Sequence, residues 1–187
     1  MLNLLSTEAW MLIVTLLRTL YLFPLILTGC ISIPDAESTK VSGATNLVVD
    51  QTPICITTPE DPSFQQHVYA GAGKLIAEKV RLGVEKSGRS AFVIDDPAKA
   101  QVAGCQFILD SQIIEYEDRA TGWSGIPDRI SLRLNLFPLT DPASQRSFTY
   151  VAKSSAMGSA FFEWGNANPT SLLQQQFTND VSTLISE

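Results

Sequence analysis

Two periods of apolar residues run along this chain, and the places where one gives way to the other mark its elements. Ile54-Cys55-Ile56 is a continuous apolar run bounded by Pro53 and Pro59, the pattern of a short strand buried on both faces. Leu47-Val48-Val49 is a further short strand candidate ahead of it, and Pro59-Glu60-Asp61-Pro62-Ser63 reads as a loop. From about His67 to Lys86 the apolar residues Val68, Ala72, Leu75, Ile76, Val80 and Val84 recur at three and four. Lys74, Glu78, Lys79, Arg81 and Glu85 occupy the other faces. That spacing predicts an amphipathic helix, stopped by Ser87-Gly88. Ala91-Phe92-Val93-Ile94 is a second continuous apolar strand, and Pro97 to Ala103 adds a short helix. Strand, helix and strand with apolar strands imply a βαβ unit, a parallel pair joined by a right-handed crossover.

The second half changes period. Cys105 to Asp118 reads as a long strand whose buried phase switches, since Phe107 and Leu109 are odd and Ile114 and Tyr116 even. A bulge or a change of burial near Asp110 to Gln112 produces such a switch. Ile130, Leu132, Leu134 and Leu136 alternate with Ser131, Arg133 and Asn135, and Phe148, Tyr150 and Ala152 alternate in the same way. These three strands suit an antiparallel meander. Asn168-Pro169 is a cap followed by proline in the first helical position, and Leu173, Phe177, Val181, Leu184 and Ile185 form one face of a closing helix. The expected fold is α/β (α+β): a βαβ unit followed by an antiparallel meander, giving a mixed sheet covered by a long helix and a C-terminal helix.

The first thirty residues follow neither period. Leu20 to Gly29 is almost wholly apolar behind Arg18 and ends in Leu27-Thr28-Gly29-Cys30. The run is far shorter than the roughly 20 residues that span a bilayer, and a short apolar core ahead of small residues is a secretory signal peptide. Leu-Thr-Gly-Cys resembles the bacterial lipobox, in which the cysteine thiol is acylated and the chain is cut just before it. Residues 1–29 are thus the expected signal peptide, with a true start near Met11 because Glu8 sits badly in a positive leader. Residues 30–46 are the expected flexible tether and 47–187 a single periplasmic domain. The competing reading is an uncleaved anchor from Trp10 to Leu27, which would carry Arg18 at a cost of about 2.5–3.5 kcal/mol near a helix centre. Ile31 and Ser32 follow Cys30, with no aspartate at the second mature position, which resembles the outer-membrane sorting signal of enteric-type Gram-negative bacteria.

Composition narrows the chemistry. The 187 residues carry a net charge of −6, which argues against nucleic acid as a partner. One histidine and three cysteines argue against a metalloenzyme or a disulfide scaffold. Gly71-Ala72-Gly73-Lys74 lacks the spacing and the following Ser or Thr of a phosphate loop, and fits small residues at a close helix-to-sheet approach. Gly122-Trp123-Ser124-Gly125 falls one residue short of a nucleophile elbow. His67 reads as a surface or capping residue, and Cys55 and Cys105 as buried free thiols rather than a disulfide. Glu115, Glu117 and Asp118 read as a solvated strand end. No catalytic residue, metal ligand or cofactor is expected.

One connection stands out. From Glu117 to Ile130 the chain concentrates charges, one tryptophan, two glycines and a proline. Arg119 and Arg129 are placed to pair with Asp118 and Asp128 and lock the loop. Two readings stay open: a self-packed plug closing the sheet end with Trp123, or a binding surface made by Glu117, Asp118, Arg119, Trp123, Ser124, Asp128 and Arg129. This stretch, with Thr57-Thr58-Pro59-Glu60-Asp61 and Val68-Tyr69-Ala70-Gly71-Ala72-Gly73, resembles a family of bacterial lipoproteins of unknown function (DUF4823 type). The shared signature is E-D-R-A-T-x-W-S-G-x-P-D-R-I, and the likeness covers about residues 47 to 186. It departs at Ala72, where the family has serine, and near Ala156 to Asn166. The resemblance implies lipidation at Cys30 and a periplasmic domain, and brings no catalytic residues. More loosely, the element order is similar to periplasmic domains of outer-membrane assembly lipoproteins. The function expected is that of a non-enzymatic lipoprotein, held to the membrane by lipid, with an accessory role toward another envelope protein. The alternative is a small-ligand or glycan-binding module using Trp123 with Arg119 and Arg129.

Overall fold

Proline positions and apolar runs set the strand lengths in the computed structural model, which describes residues 35–38, 42–43, 52–119, 126–154 and 168–186. These lie within one unit, Pro34–Glu187. In chain order they form β1 (Asp35–Ser38), β2 (Ser42–Gly43), β3 (Ile54–Thr57), β4 (Ser63–Phe64), β5 (His67–Val68), α1 (Ala72–Lys86), β6 (Ala91–Ile94), β7 (Phe107–Glu117), β8 (Arg129–Pro138), β9 (Arg146–Lys153) and α2 (Gln175–Ser186). The main sheet runs β1-β9-β8-β7-β3-β6, with β2 also on β9. β3 is parallel to β6 and β7, while β7, β8 and β9 form the antiparallel meander. The mixed sheet with its long helix and C-terminal helix is the expected architecture.

One face of the sheet meets both helices. Ile54 and Ile56 of β3, Leu109 of β7, Leu132 and Leu134 of β8 and Tyr150 of β9 join Ile76, Val80, Phe177 and Val181 in one buried cluster. The helices meet at Gly83, where an added Cβ would lie 2.6 Å from the Val181 side chain. Gly73 is pressed as closely at the other end of α1: a Cβ there would stand 2.1 Å from the Pro59 carbonyl oxygen. Within the Gly-Ala-Gly stretch the close approach is made by Gly73, to the Pro59 turn rather than to the sheet, whereas Gly71 has open space where a Cβ would stand. Arg146, almost fully buried, donates from Nη1 to the Leu184 carbonyl at 2.9 Å and so satisfies an orphan acceptor near the end of α2.

The opposite face carries a small second cluster of Cys55, Ile94, Ala100, Cys105 and Ile108, with Phe137 and Leu139 packed against it. The cysteines are not free thiols. They form a disulfide with Cα atoms 5.7 Å apart, because Cys55 points to this face from β3 and the turn before β7 brings Cys105 over it.

Other expectations are corrected by pairing. The helix begins at Ala72, not near His67, because Gln65 and Gln66 both adopt positive φ and turn Ser63–Phe64 back on His67–Val68 as a small hairpin. Val68 and Leu75 are accordingly exposed, and Gly73, Ala77 and Gly83 complete the buried face instead. Within the stretch read as a tether, Asp35–Ser38 and Ser42–Gly43 pair antiparallel with β9, whose edge would otherwise be open. β6 lies at the other edge, so Phe92 is 47% exposed rather than buried on both faces. The phase switch in β7 is a bulge, two residues later than expected: Ile113 pairs with Leu132 and Glu115 with Ser131, leaving Ile114 as the extra residue, 54% exposed. Asn168 caps as expected, its Oδ1 accepting from Thr170 N at 3.1 Å, but it starts the 3-10 turn Pro169–Leu172 ahead of α2. The leader, the lipobox cysteine Cys30 and the Leu47-Val48-Val49 candidate lie outside the described residues. Among those residues no helix is long and apolar enough to cross a membrane.

The disulfide joins residues 50 apart, and closing a loop of that size stabilises by about 4 kcal/mol in the chain-entropy account. Replacing Cys55 and Cys105 together by alanine should therefore lower the unfolding free energy by about 2–5 kcal/mol in a denaturant titration. The same loss should follow reduction of the native protein, and an unfolding midpoint indifferent to reductant would contradict the bond.

Candidate functional site

The chain ends of β7 and β8 meet at one end of the sheet, and there the charged residues singled out in the sequence come together. A strand presents alternate residues to one face, so Glu115 and Glu117 share a side of β7, and each is gripped by an arginine. Arg119 Nε and Nη2 donate to Glu117 Oε2 and Oε1 at 2.8 and 2.9 Å. Arg129 on β8 reaches across the strand pair to Glu115, with Nε 3.2 Å from Oε2 and Nη1 3.3 Å from Oε1. Both are two-point contacts between a planar fork and a carboxylate. The Arg119 fork holds the Glu117 carboxyl below its ordinary pKa. The expected partners, Asp118 and Asp128, are not the ones the arginines take.

Those aspartates have other work. Asp128 is buried and accepts from the Arg119 backbone N–H at 2.8 Å. Its own N–H donates to Ser154 Oγ at 3.0 Å and its carbonyl accepts from Ser154 N at 3.0 Å. The two ends of the connection, Arg119 and Asp128, are thereby clamped to each other and to the end of β9. Asp118 accepts a hydrogen bond from the Tyr69 phenol. Tyr69 lies with its ring centroid 4.9 Å from that of Tyr116 and 4.6 Å from the His67 ring, the latter edge-on. Burial first, then the bond to Asp118 and the negative charges of Asp118 and Asp128, push the Tyr69 phenol up to about 12. Burial likewise raises Tyr116. Sequence reasoning missed both tyrosines as parts of this end, although Tyr116 lay in the buried phase of β7. His67 belongs to the ring cluster at the hairpin. Trp123 and Ser124 lie outside the described residues.

Behind this rim runs a cavity of about 450 Å³, lined by the Pro59–Ser63 turn and by Ser111–Tyr116. Its wall is fixed by Asp61, whose carboxylate accepts from Gly71 N and Gly73 N, both at 2.8 Å. Gly71, in the left-handed region at the head of α1, has no side chain to cap the helix, so Asp61 does it from the preceding turn. Those two N–H groups hold the Asp61 carboxyl below its ordinary value. Among the described residues no group of three or more His, Cys, Asp or Glu side chains is placed to hold a metal ion.

No protein-family model matches the chain, and no curated protein does. Solved structures do. A dodecamer of PelC from Paraburkholderia phytofirmans is similar over 81% of this chain and 97% of its own, with a TM-score of 0.56 and 9% identity. A point variant of that dodecamer gives the same TM-score at 8% identity, over 81% and 98%. A DUF330 protein of Xanthomonas campestris, 21% identical over 77% of this chain and 91% of its own, reaches a TM-score of 0.42, too low to argue from. The likeness to PelC shows a shared fold and nothing finer. DUF330 is not the family whose signature the sequence resembles.

The Tyr69 phenol gives a pH test. Ionising near 10 in the unfolded chain and near 12 in the fold, it stabilises fully below pH 10, and that contribution fades as pH rises from 10 through 12. In Asp118→Asn the Tyr69 titration, followed by tyrosine ring NMR, should move down because an acceptor and a negative charge are lost. An unchanged midpoint would mean that Asp118 is not its partner.

Proposed function

We propose that this chain is a lipid-anchored accessory protein of the bacterial envelope, acting in the outer membrane and periplasm by binding another envelope protein rather than by catalysis. The lipobox-like ending at Cys30 supports the anchor. The buried Cys55–Cys105 disulfide supports export, because such bonds persist in oxidising compartments such as the periplasm. The observation that carries the binding role is the clamp at the sheet end. Arg119 and Asp128 fix both ends of the connection that bears Trp123, which is how a scaffold presents a recognition loop. The glycan or small-ligand reading is weaker, since both arginines it would use are already forked onto Glu117 and Glu115.

Two substitutions test the reading. Cys30→Ser should abolish lipid attachment, and an intact mass showing a native chain that begins before residue 30 and carries no lipid would contradict the anchor. Trp123→Ala should remove a crosslinked envelope partner while changing unfolding free energy by less than about 1 kcal/mol. A loss of about 3 kcal/mol or more with partner binding retained would make Trp123 a structural plug instead.

A further inference from the structure

β7 is flanked on both edges only along Phe107–Leu109, where β3 pairs with it. β3 ends at Thr57, and the Pro59–Ser63 turn carries the chain off toward the head of α1. Beyond Leu109, therefore, the edge of β7 that faces away from β8 has no strand partner among the described residues. The 450 Å³ cavity lies along this stretch, between the turn and Ser111–Tyr116.

Two features of that cavity point to an occupant. Ser111 is 4% exposed and lines the cavity, and its buried hydroxyl has no hydrogen-bond partner among the described residues. A buried hydroxyl left unpaired destabilises the fold, and a bound donor or acceptor would remove that cost. The charge on the walls is also one-sided. Glu60, Asp61 and Glu115 line the cavity and, among the described residues, no lysine, arginine or histidine does; Arg129 offsets Glu115 from β8, and the remainder is negative in a chain of net charge −6. Asp61 is kept ionised by the two helix N–H groups it accepts.

From the open edge, the unpaired hydroxyl and the acidic walls together we infer that this groove receives an extended, lysine- or arginine-bearing peptide segment of a partner protein, added to the sheet as a strand beside β7 where β3 stops. A strand edge offers a row of backbone N–H and C=O groups that a peptide backbone matches over several residues and a small cation does not. The Ile114 bulge exposes an apolar side chain on the cavity wall for the peptide to cover. The inference rests on the protein-binding reading above, and it places a contact on the strand edge in addition to the Trp123 loop.

The test uses the full chain in detergent and a fluorescent heptapeptide alternating lysine and valine. Binding should be saturable by anisotropy, and amide exchange across Gln112–Glu115 should slow in the complex. The glutamate-for-lysine peptide and a peptide with proline at its centre should each bind about tenfold or more weakly. Ser111→Ala should weaken the lysine peptide by about tenfold without lowering the thermal midpoint, because it deletes a ligand contact and an unsatisfied buried hydroxyl at once. A lowered midpoint with unchanged affinity would make Ser111 structural and overturn the inference. So would equal binding of the lysine and glutamate peptides, no binding of the lysine peptide, or binding that leaves the β7 amides unprotected. If partner capture through Trp123 persists in any of those cases, the strand-edge site alone has failed and the protein-binding reading stands.

Discussion

The unequal length of two neighbouring strands governs this molecule. β3 has four residues and β7 eleven. β3 is short because Pro53 and Pro59 bracket its apolar run. Its last residue, Thr57, turns its hydroxyl onto Asp110 Oδ1 at 2.7 Å. β7 is long because its other edge must accompany β8, which is ten residues long, across the sheet face covered by both helices. The sheet is thus parallel on one side of β7 and antiparallel on the other, and β7 is doubly paired only at its start. The disulfide and the second apolar cluster sit at that doubly paired end. The forks, the ring cluster and the cavity sit at the other.

The far half of β7 is held by devices other than a second strand. The bulge at Ile114 lets Ile113 and Tyr116, which differ in phase, both face the helices, so burial is kept while strand pairing is lost on one edge. Arg129 ties β8 to β7 through Glu115. Asp128 and Ser154 tie the end of β8 to the end of β9. On the opposite side of the cavity, Asp61 fixes the Pro59–Ser63 turn to the first turn of α1, and the close approach at Gly73 leaves no room for a side chain. The groove therefore has two walls set by hydrogen bonds, which is the condition for recognising an extended segment without first ordering a loop.

Much of this was legible from periodicity. The alternation in Ile130–Leu136 and Phe148–Ala152, and the three-and-four spacing from Ala72 to Val84, follow from burying one face of an element, and the architecture follows from their order. What stayed hidden depends on partners distant in sequence. Gln65 and Gln66 carry no turn signature, so the hairpin that delays α1 could not be read from them. Arg119 and Arg129 sit beside aspartates in sequence, yet strand alternation and cross-strand register give them to glutamates. The disulfide needs the crossover that brings Cys105 over β3, and the pairing of Asp35–Ser38 needs the free edge of β9. Ser111 reads as an ordinary polar residue until its burial on the helix-facing side is known.

The central claim is that β7 has an open edge along its second half, and amide hydrogen exchange on the protein without added peptide tests it most directly. From Gln112 to Glu117, amides directed at β8 should be protected and those directed at the cavity should exchange markedly faster, giving two alternating classes on one strand. Uniform protection across these residues, equal to that of Leu132–Leu134 in β8, would show that the edge is already paired and would contradict the account.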